Sequence, residues 1–341
     1  MNAREGAMRA AVVGTGAISQ VMHVPILAEH PGVDLALLAD LNAHKARTVA
    51  ARFHVPEVAE PDTALTREDL DAVLICTPSH LHEEQAIVAL NAGKHVFVER
   101  PLALTPEGAE RVVDAARRSG TVLVVGLPHR FRPEASALRS YVAGGEMGRI
   151  SSVRGIWLTR RVPVVRPTWR QDANLAGGGV LMDLGLAQLD LCLWLVGYPD
   201  VARVTCVTSP GDYGVEDGAI LVAETVDGVA LTLEASSRYF AGHDHYHARV
   251  MGSDGSGSLP PLEIFKQLGG RPLDVTPRQP RPQGFENPYT NAYRRQLDHF
   301  VRVASGVAQA PLPDEQVRLM RLVGAAYRSA TTGREVTLFG D

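Results

Sequence analysis

Residues Arg9–Ser19 read RAAVVGTGAIS, a short apolar run that breaks at Gly14-Thr15-Gly16 and continues through Ala17-Ile18-Ser19 toward His30. The run predicts a buried strand, and the residues after the glycines predict a helix. Gly14 permits a tight turn, and Gly16 lets the backbone approach a bound group. The helix N-terminus then offers free N–H groups and the positive end of its dipole. A dinucleotide pyrophosphate is held in this strand–turn–helix context, so Gly14, Thr15, Gly16, Ala17 and Ile18 are candidate cofactor contacts. Ser19 stands where a third glycine is usual, and a small residue still allows close helix–strand packing. A glycine pair alone also occurs for packing reasons. Asp40 adds weight, because it follows a second apolar run, Val33–Ala39, where a carboxylate can accept bonds from the adenosine ribose hydroxyls. That charge repels a 2′-phosphate, and Leu41 and Asn42 bring no compensating cation, which favours NAD over NADP. The competing reading of Asp40 is a plain cap for the helix of NAHKAR.

The same alternation continues outward. Helical NAHKARTVAARF follows Val33–Ala39. Then come a strand at Ala72–Ile75, a helix over His82–Asn91, a strand at His95–Val98, a helix over Pro106–Arg118 and a strand at Val122–Val125. Short apolar strands alternating with amphipathic helices predict a doubly wound parallel sheet. After Gly126 the rhythm changes to long strands (SVRGIWLT, ARVTCVT, GAILVAETVDGVALTLEAS) broken by the helical DLGLAQLDLCLWLVG. Two closing helices follow, near Asn291–Ser305 and Asp314–Thr331. This pattern predicts a mostly antiparallel α+β domain with helices on one face. The expected division is a dinucleotide-binding Rossmann domain over 8–126 and a substrate-binding and oligomerisation domain over 127–341. Gly252–Pro282, rich in Gly, Pro and Ser, reads as a long connection or a partly mobile loop. An antiparallel sheet covered on one side, with apolar residues on both faces of ILVAETV and VALTLEA, predicts a homodimer or homotetramer through the open face.

Composition bounds the partners. A formal net charge of −4 with 45% hydrophobic and 21% charged residues argues against nucleic acid or an acidic membrane as partner. Cys76, Cys192 and Cys206 are too few and too scattered for a disulfide framework or a zinc site, which points to the cytoplasm. The opening MNAREGAMRA lacks a signal-peptide core. No stretch reaches the ~18 uninterrupted apolar residues of a membrane span.

Three longer segments carry a resemblance. Cys76–Val113 (CTPSHLHEEQAIVALNAGKHVFVERPLALTPEGAERVV), Trp169–Gly197 (WRQDANLAGGGVLMDLGLAQLDLCLWLVG) and Ala326–Leu338 (AYRSATTGREVTL) resemble, in order and spacing, the Gfo/Idh/MocA oxidoreductases. The resemblance covers nearly the whole chain. It implies that Thr77 and Pro78 lie along the cofactor, that His82 falls on the family's usual histidine beside the cofactor loop, and that Glu99-Arg100-Pro101 enters the active site near the nicotinamide. Trp169 and Arg170 would line the substrate side. Two departures stand out. The family's catalytic lysine is Arg100, and its Asp-x-x-x-His pair is Asp183 followed by Ala187. Alanine has no proton to give, and arginine, with a pKa above ~12, is no general base at neutral pH. Arg100 can instead hold a carbonyl oxygen, oxyanion or carboxylate with a planar fork of donors. Asp183 remains as the acidic candidate. Arg100 and Asp183 are therefore the candidate catalytic pair.

Other residues are candidates for the missing proton. His82 reads as a structural cap ahead of a catalyst. Gln188 lies beside the lost histidine position but on another helix face. His243, His245 and His247 would share one strand face without an acidic or cysteine companion, so no metal is expected. Tyr239 and Tyr246 are possible phenolic acids. Arg154, Arg160, Arg161 and Arg166 lead into Arg170, which opens the choice of an anionic substrate and makes Arg160 a candidate substrate contact. Three readings stay open: an NAD-dependent oxidoreductase acting on a sugar, cyclitol or related polar metabolite; a same-fold enzyme with transient redox and no net oxidation; and a catalytically silent dinucleotide sensor.

Overall fold

The computed structural model describes residues 6–162, 164, 166–278 and 287–338. Six strands, β1 Met8–Val13, β2 Val33–Ala39, β3 Glu57–Ala59, β4 Ala72–Ile75, β5 His95–Glu99 and β6 Leu123–Gly126, form one parallel sheet in the order β3-β2-β1-β4-β5-β6. The order reverses between β1 and β4. In such sheets ligands bind outside the carboxyl ends of the strands at that switch point. β1 and β4 are almost wholly buried apolar strands, as a sheet covered on both faces requires. β3 escaped the sequence reading because EVA is short and only partly buried, so no period develops over it.

Nine strands build the second sheet: β7 Ile150–Arg160, β8 Val201–Pro210, β9 Glu216–Thr225, β10 Ala230–Tyr239, β11 His245–Gly252, β12 Gly255–Leu259, β13 Glu263–Leu268, β14 Arg271–Asp274 and β15 Val336–Thr337. The order is β14-β13-β12-β11-β7-β10-β9-β8-β15, antiparallel except where β10 runs parallel to β7. This corrects the expected connection over Gly252–Pro282, since 255–274 carries three strands; residues 279–286 lie outside the described residues. The glycines read as loop formers serve close packing. A Cβ at Gly257 would lie 2.3 Å from Leu138 Cδ1, and one at Gly255 would lie 2.7 Å from the Phe265 carbonyl oxygen.

The chain forms two compact units, Met1–Pro128 with Glu286–Val317 and His129–Phe285 with Arg318–Asp341. The linear division places Pro288–Ala304 in the second domain, whereas the structure packs this helix in the first unit. Its Tyr293, Leu297, Phe300 and Val301 join the core around Phe97, Leu27 and Val24. Each such side chain contributes about 1.5–3 kcal/mol of burial, which explains the placement. In the second unit, Ala173–Leu195 is helix long and apolar enough to cross a membrane by composition. Yet 72% of that window is buried within the fold, as in a core helix.

Candidate active site

The first unit gathers its candidates at the carboxyl ends of β1, β2, β4 and β5. Gly14 has φ +94°, and a Cβ there would sit 2.7 Å from the Cys76 carbonyl oxygen, so both conformation and space demand glycine. A Cβ at Gly16 would meet nothing within 4 Å, which leaves that backbone facing open space. Ser19 is fully buried and its hydroxyl donates to the Gly14 carbonyl, so the serine stitches the turn it replaces a glycine in. The open backbone at Gly16, at the entry to the helical turn that follows Ile18, fits a dinucleotide pyrophosphate.

Asp40 is more engaged than its sequence position suggested. Its Oδ2 accepts the Thr15 N–H at 2.8 Å and the Thr15 hydroxyl at 2.7 Å, and its Oδ1 accepts the Asn42 N–H at 2.9 Å. Lys45 Nζ also stands 2.8 Å from Oδ2. Burial works to raise the Asp40 pKa, but Lys45, the Asn42 amide and Thr15 outweigh it and hold the carboxyl below its usual range. A cation therefore does accompany Asp40, contrary to the expectation from Leu41 and Asn42. Leu41 and Asn42 bring none, but the helix that Asn42 caps delivers Lys45 one turn later.

Beyond β4, the Thr77 hydroxyl donates to Gln85 Oε1 at 2.6 Å, and Pro78 leads into the turn Ser79–Leu81. His82 is buried, with Nε2 2.9 Å from the Thr77 carbonyl oxygen and Nδ1 2.7 Å from that of Pro101. Burial lowers its pKa against the pull of both carbonyls and Glu99. Its two ring nitrogens are thus turned on backbone, clipping the loop after β4 to the loop after β5.

Glu99 closes β5 with Oε1 2.7 Å from His23 Nε2, and a Cβ on Gly126 would crowd its Oε2 at 2.9 Å. His23 is wholly buried, edge-on to Phe97 and Tyr293 at 5.3 and 5.6 Å between ring centroids. Burial depresses its pKa, but Cys76 and the hydrogen-bonded Glu99 reverse this and push it up to about 10. Tyr293 is pushed up by burial, Glu99 and Tyr289, while the half-buried Arg100 opposes them. His23 was missed by the sequence reading. Its signal was a histidine inside the apolar VMHVPIL.

In the second unit, Trp169–Gln171 forms one turn capped by Thr168, and the Arg170 guanidinium lies 4.3 Å from the Trp169 ring centroid. Of the arginines leading here, Arg154 pairs with Glu234, Arg160 with Asp244 and Arg161 with Asp212, at 3.8, 3.3 and 3.6 Å. Those carboxylates weaken the argument that this run selects an anion. Gly178 and Gly179 are forced by contact: a Cβ on either would lie 1.9 Å from the Tyr327 hydroxyl or 2.0 Å from the Glu216 carbonyl oxygen. The Glu216 carboxylate accepts the Gly179 and Leu181 N–H groups at 2.8 and 2.9 Å and the Tyr327 hydroxyl at 2.7 Å. It thereby caps the helical segment that carries the exposed Asp183 and buried Ala187. Neither Glu216 nor Tyr327 was legible locally, being 111 residues apart.

Gln188 turns inward, giving its amide to the His247 carbonyl at 2.8 Å. His245 and His247 stand side by side with ring centroids 6.4 Å apart, and the described residues hold no metal-binding cluster of His, Cys, Asp or Glu side chains. Tyr246 packs on His129 and Trp157, while Tyr239 ends β10.

Comparison with known proteins decides the lineage. The profile of the oxidoreductase family with NAD-binding Rossmann fold (GFO_IDH_MocA) matches residues 8–127, and that of the GFO/IDH/MocA C-terminal domain matches 135–258. An inositol 2-dehydrogenase of Paracoccus denitrificans is 30% identical over 89% of this chain and 88% of its own. The chain belongs to the Gfo/Idh/MocA family. Other members agree along the full length of this Gfo/Idh/MocA protein. The D-glucoside 3-dehydrogenase of Escherichia coli is 28% identical over 97% of both chains. The crystal structure of GenD2 from gentamicin A biosynthesis, in complex with NAD, superposes with a TM-score of 0.85 at 28% identity, covering 99% of this chain and 98% of that one. The chain is accordingly a dinucleotide-binding oxidoreductase, and its relatives favour sugar-like substrates.

Proposed function

We propose that this Gfo/Idh/MocA protein interconverts a hydroxyl and a carbonyl on a sugar or cyclitol, with NAD(H) as the redox partner. The observation that carries the reading is the Gly14–Asp40 cradle: an open backbone at Gly16, with the adenosine-side carboxylate Asp40 already oriented by Thr15. Gly14, Thr15, Gly16, Ala17 and Ile18 would hold the pyrophosphate, Asp40 the ribose, and Thr77, Pro78, Glu99 and Arg100 the nicotinamide half, with His82 bracing that loop. The bound nicotinamide supplies or accepts a hydride. Arg100 binds the reacting substrate oxygen and stabilises negative charge there without exchanging a proton. Trp169, Arg170, Asp183 and Arg160 belong to the substrate side. Asp40 supports NAD over NADP, but Lys45 offsets part of that charge and narrows the preference.

The first unit serves as dinucleotide-binding domain, and the second binds substrate and pairs subunits into a homodimer or homotetramer. The sheet's exposed Val207, Ile220 and Val222 support that pairing. Buried free cysteines suit a cytoplasmic setting.

The test is NADH formation from a panel of glucosides, inositols, aldoses and their phosphates by the wild type, Arg100→Ala, Arg100→Lys, and Arg100→Lys with Ala187→His. Arg100→Ala should lose about 1.5–3 kcal/mol of substrate binding, the contribution of one charged hydrogen bond. Arg100→Lys should regain only part of it. Oxidation unaffected by Arg100→Ala would overturn the role given to that residue.

A further inference from the structure

The proton that must accompany hydride transfer needs a carrier that Arg100, Ala187 and His82 do not supply, and Asp183, the acidic candidate, is an exposed carboxylate of the second unit. Arg100 keeps its proton, Ala187 has none, and both ring nitrogens of His82 face backbone carbonyls. One couple in the first unit has the required geometry. Glu99 closes β5, and the β1/β4 reversal puts the ligand across the strands' carboxyl ends, with Asp40 on the adenosine side. Residues at the ends of β4 and β5 would then hold the nicotinamide half. Glu99 is only partly buried there, its side chain 13% exposed, whereas the His23 side chain behind it is fully buried. They are joined by the 2.7 Å contact between His23 Nε2 and Glu99 Oε1.

We propose that Glu99 is the proton donor and acceptor of the reaction, and that His23 is the positioning residue that stores the exchangeable proton behind it. This rests on the oxidoreductase reading given above. In the reducing direction the hydride reaches the carbonyl carbon from the reduced dinucleotide, which leaves oxidised. As the C=O π pair moves onto the oxygen, the His23 Nε2 proton passes to Glu99 Oε1 and the carboxyl so formed gives a proton to that oxygen, leaving the Glu99 carboxylate and neutral His23. Neutral His23 is then reprotonated by way of Glu99, whose side chain alone of the two reaches solvent. Alcohol oxidation runs the same steps backward.

The surroundings favour a shared proton. His23 is faced by Glu99, by Cys76 after β4 and by Tyr293 of the helix Pro288–Ala304, with Phe97 edge-on. Glu99 is faced by His23, His82 and Tyr293, with Gly126 against its second oxygen and Arg100 acting on Tyr293. Among the described groups, the His23 Nδ1 atom meets no partner at hydrogen-bond distance, the Cys76 thiol lies beside the ring, and the 2.7 Å contact of Nε2 leads to Glu99. The ring's pKa of about 10 keeps the couple protonated at neutral pH. Reduction should therefore hold level through neutrality and fall in the alkaline range, while oxidation rises there.

The experiment uses full-length protein with selectively 15N-labelled histidine, titrated by NMR as wild type, Glu99→Gln and His23→Gln. The NADH-driven reduction of 3-ketoglucosides and inososes is followed in parallel. Wild-type His23 should titrate near 10, and Glu99→Gln should lower its midpoint, leaving only the part that Cys76 sustains. Glu99→Gln should lower kcat about 10²- to 10⁴-fold with KM changed only a few-fold. His23→Gln should lower kcat less and move the alkaline limb of the pH profile toward neutrality. That variant carries the test if Glu99→Gln does not fold. A wild-type His23 midpoint at or below 6.5, or Glu99→Gln with wild-type kcat, overturns the couple while leaving the oxidoreductase reading intact. Absence of turnover with every panel member overturns that reading and the donor role with it.

Discussion

Replacing Asp40 tests two functions of one carboxylate. Its oxygens accept Thr15 N–H and O–H at 2.8 and 2.7 Å and Asn42 N–H at 2.9 Å, and Thr15 is fully buried. Asp40→Ala strands the Thr15 amide, whose desolvation costs about 1–3 kcal/mol; the hydroxyl can rotate to another acceptor. The Lys45 pair adds less than ~1 kcal/mol, because that lysine is 40% exposed. The first unit should therefore lose about 2–3 kcal/mol of stability along with its ribose contacts. Asp40→Asn separates the two effects. One oxygen still serves Thr15, so stability should fall by no more than about 1 kcal/mol. The lost charge leaves Lys45 facing a 2′-phosphate unopposed. With a screened interaction at ~6 Å, the change should favour NADPH over NADH by about 2 kcal/mol, roughly thirtyfold. Calorimetric titration of both nucleotides, with urea unfolding of each variant, measures the two quantities. An NADH/NADPH ratio in Asp40→Asn equal to wild type within a few-fold refutes the reasoning.

Lys45→Gln should weaken NADPH binding by about tenfold and leave NADH binding nearly unchanged in the same titration. Glu216→Ala should destabilise the second unit by about 3 kcal/mol, since it strands the Gly179 and Leu181 amides and the Tyr327 hydroxyl; a urea midpoint near wild type would refute this. His23 has a folded pKa raised above 6.5 to about 10, so its contribution is fully present below pH 6.5 and is lost as pH rises through about 10. The stability gap between wild type and His23→Gln should close over that window in denaturant melts. Asp40 has the opposite sign, its depressed pKa giving stability above 3.8 that is lost in acid. Val222→Glu, at the exposed centre of β9, should shift the protein toward monomer in light scattering without unfolding it.

Sequence patterning determined the architecture of the first unit, because a parallel sheet buried on both faces needs continuous apolar runs and a glycine turn where the chain must approach itself. Gly14, Asp40 and the boundaries of Ala72–Ile75 and His82–Asn91 were all readable on that basis. So were the chemical consequences of Arg100 and Ala187, which depend on side-chain identity alone. Only the tertiary structure decided which groups these residues meet. Lys45 reaches Asp40 through the pitch of a helix, His23 finds Glu99 across 76 residues, and Glu216 finds Gly179 across 37. It also decided that the glycines of 255–257 sit in a strand packed on Leu138, and that Pro288–Ala304 returns to the first core. Periodicity records the face a residue presents, but its partner is set by chain crossings that leave no local trace. Proton-carrying pairs are made by those crossings.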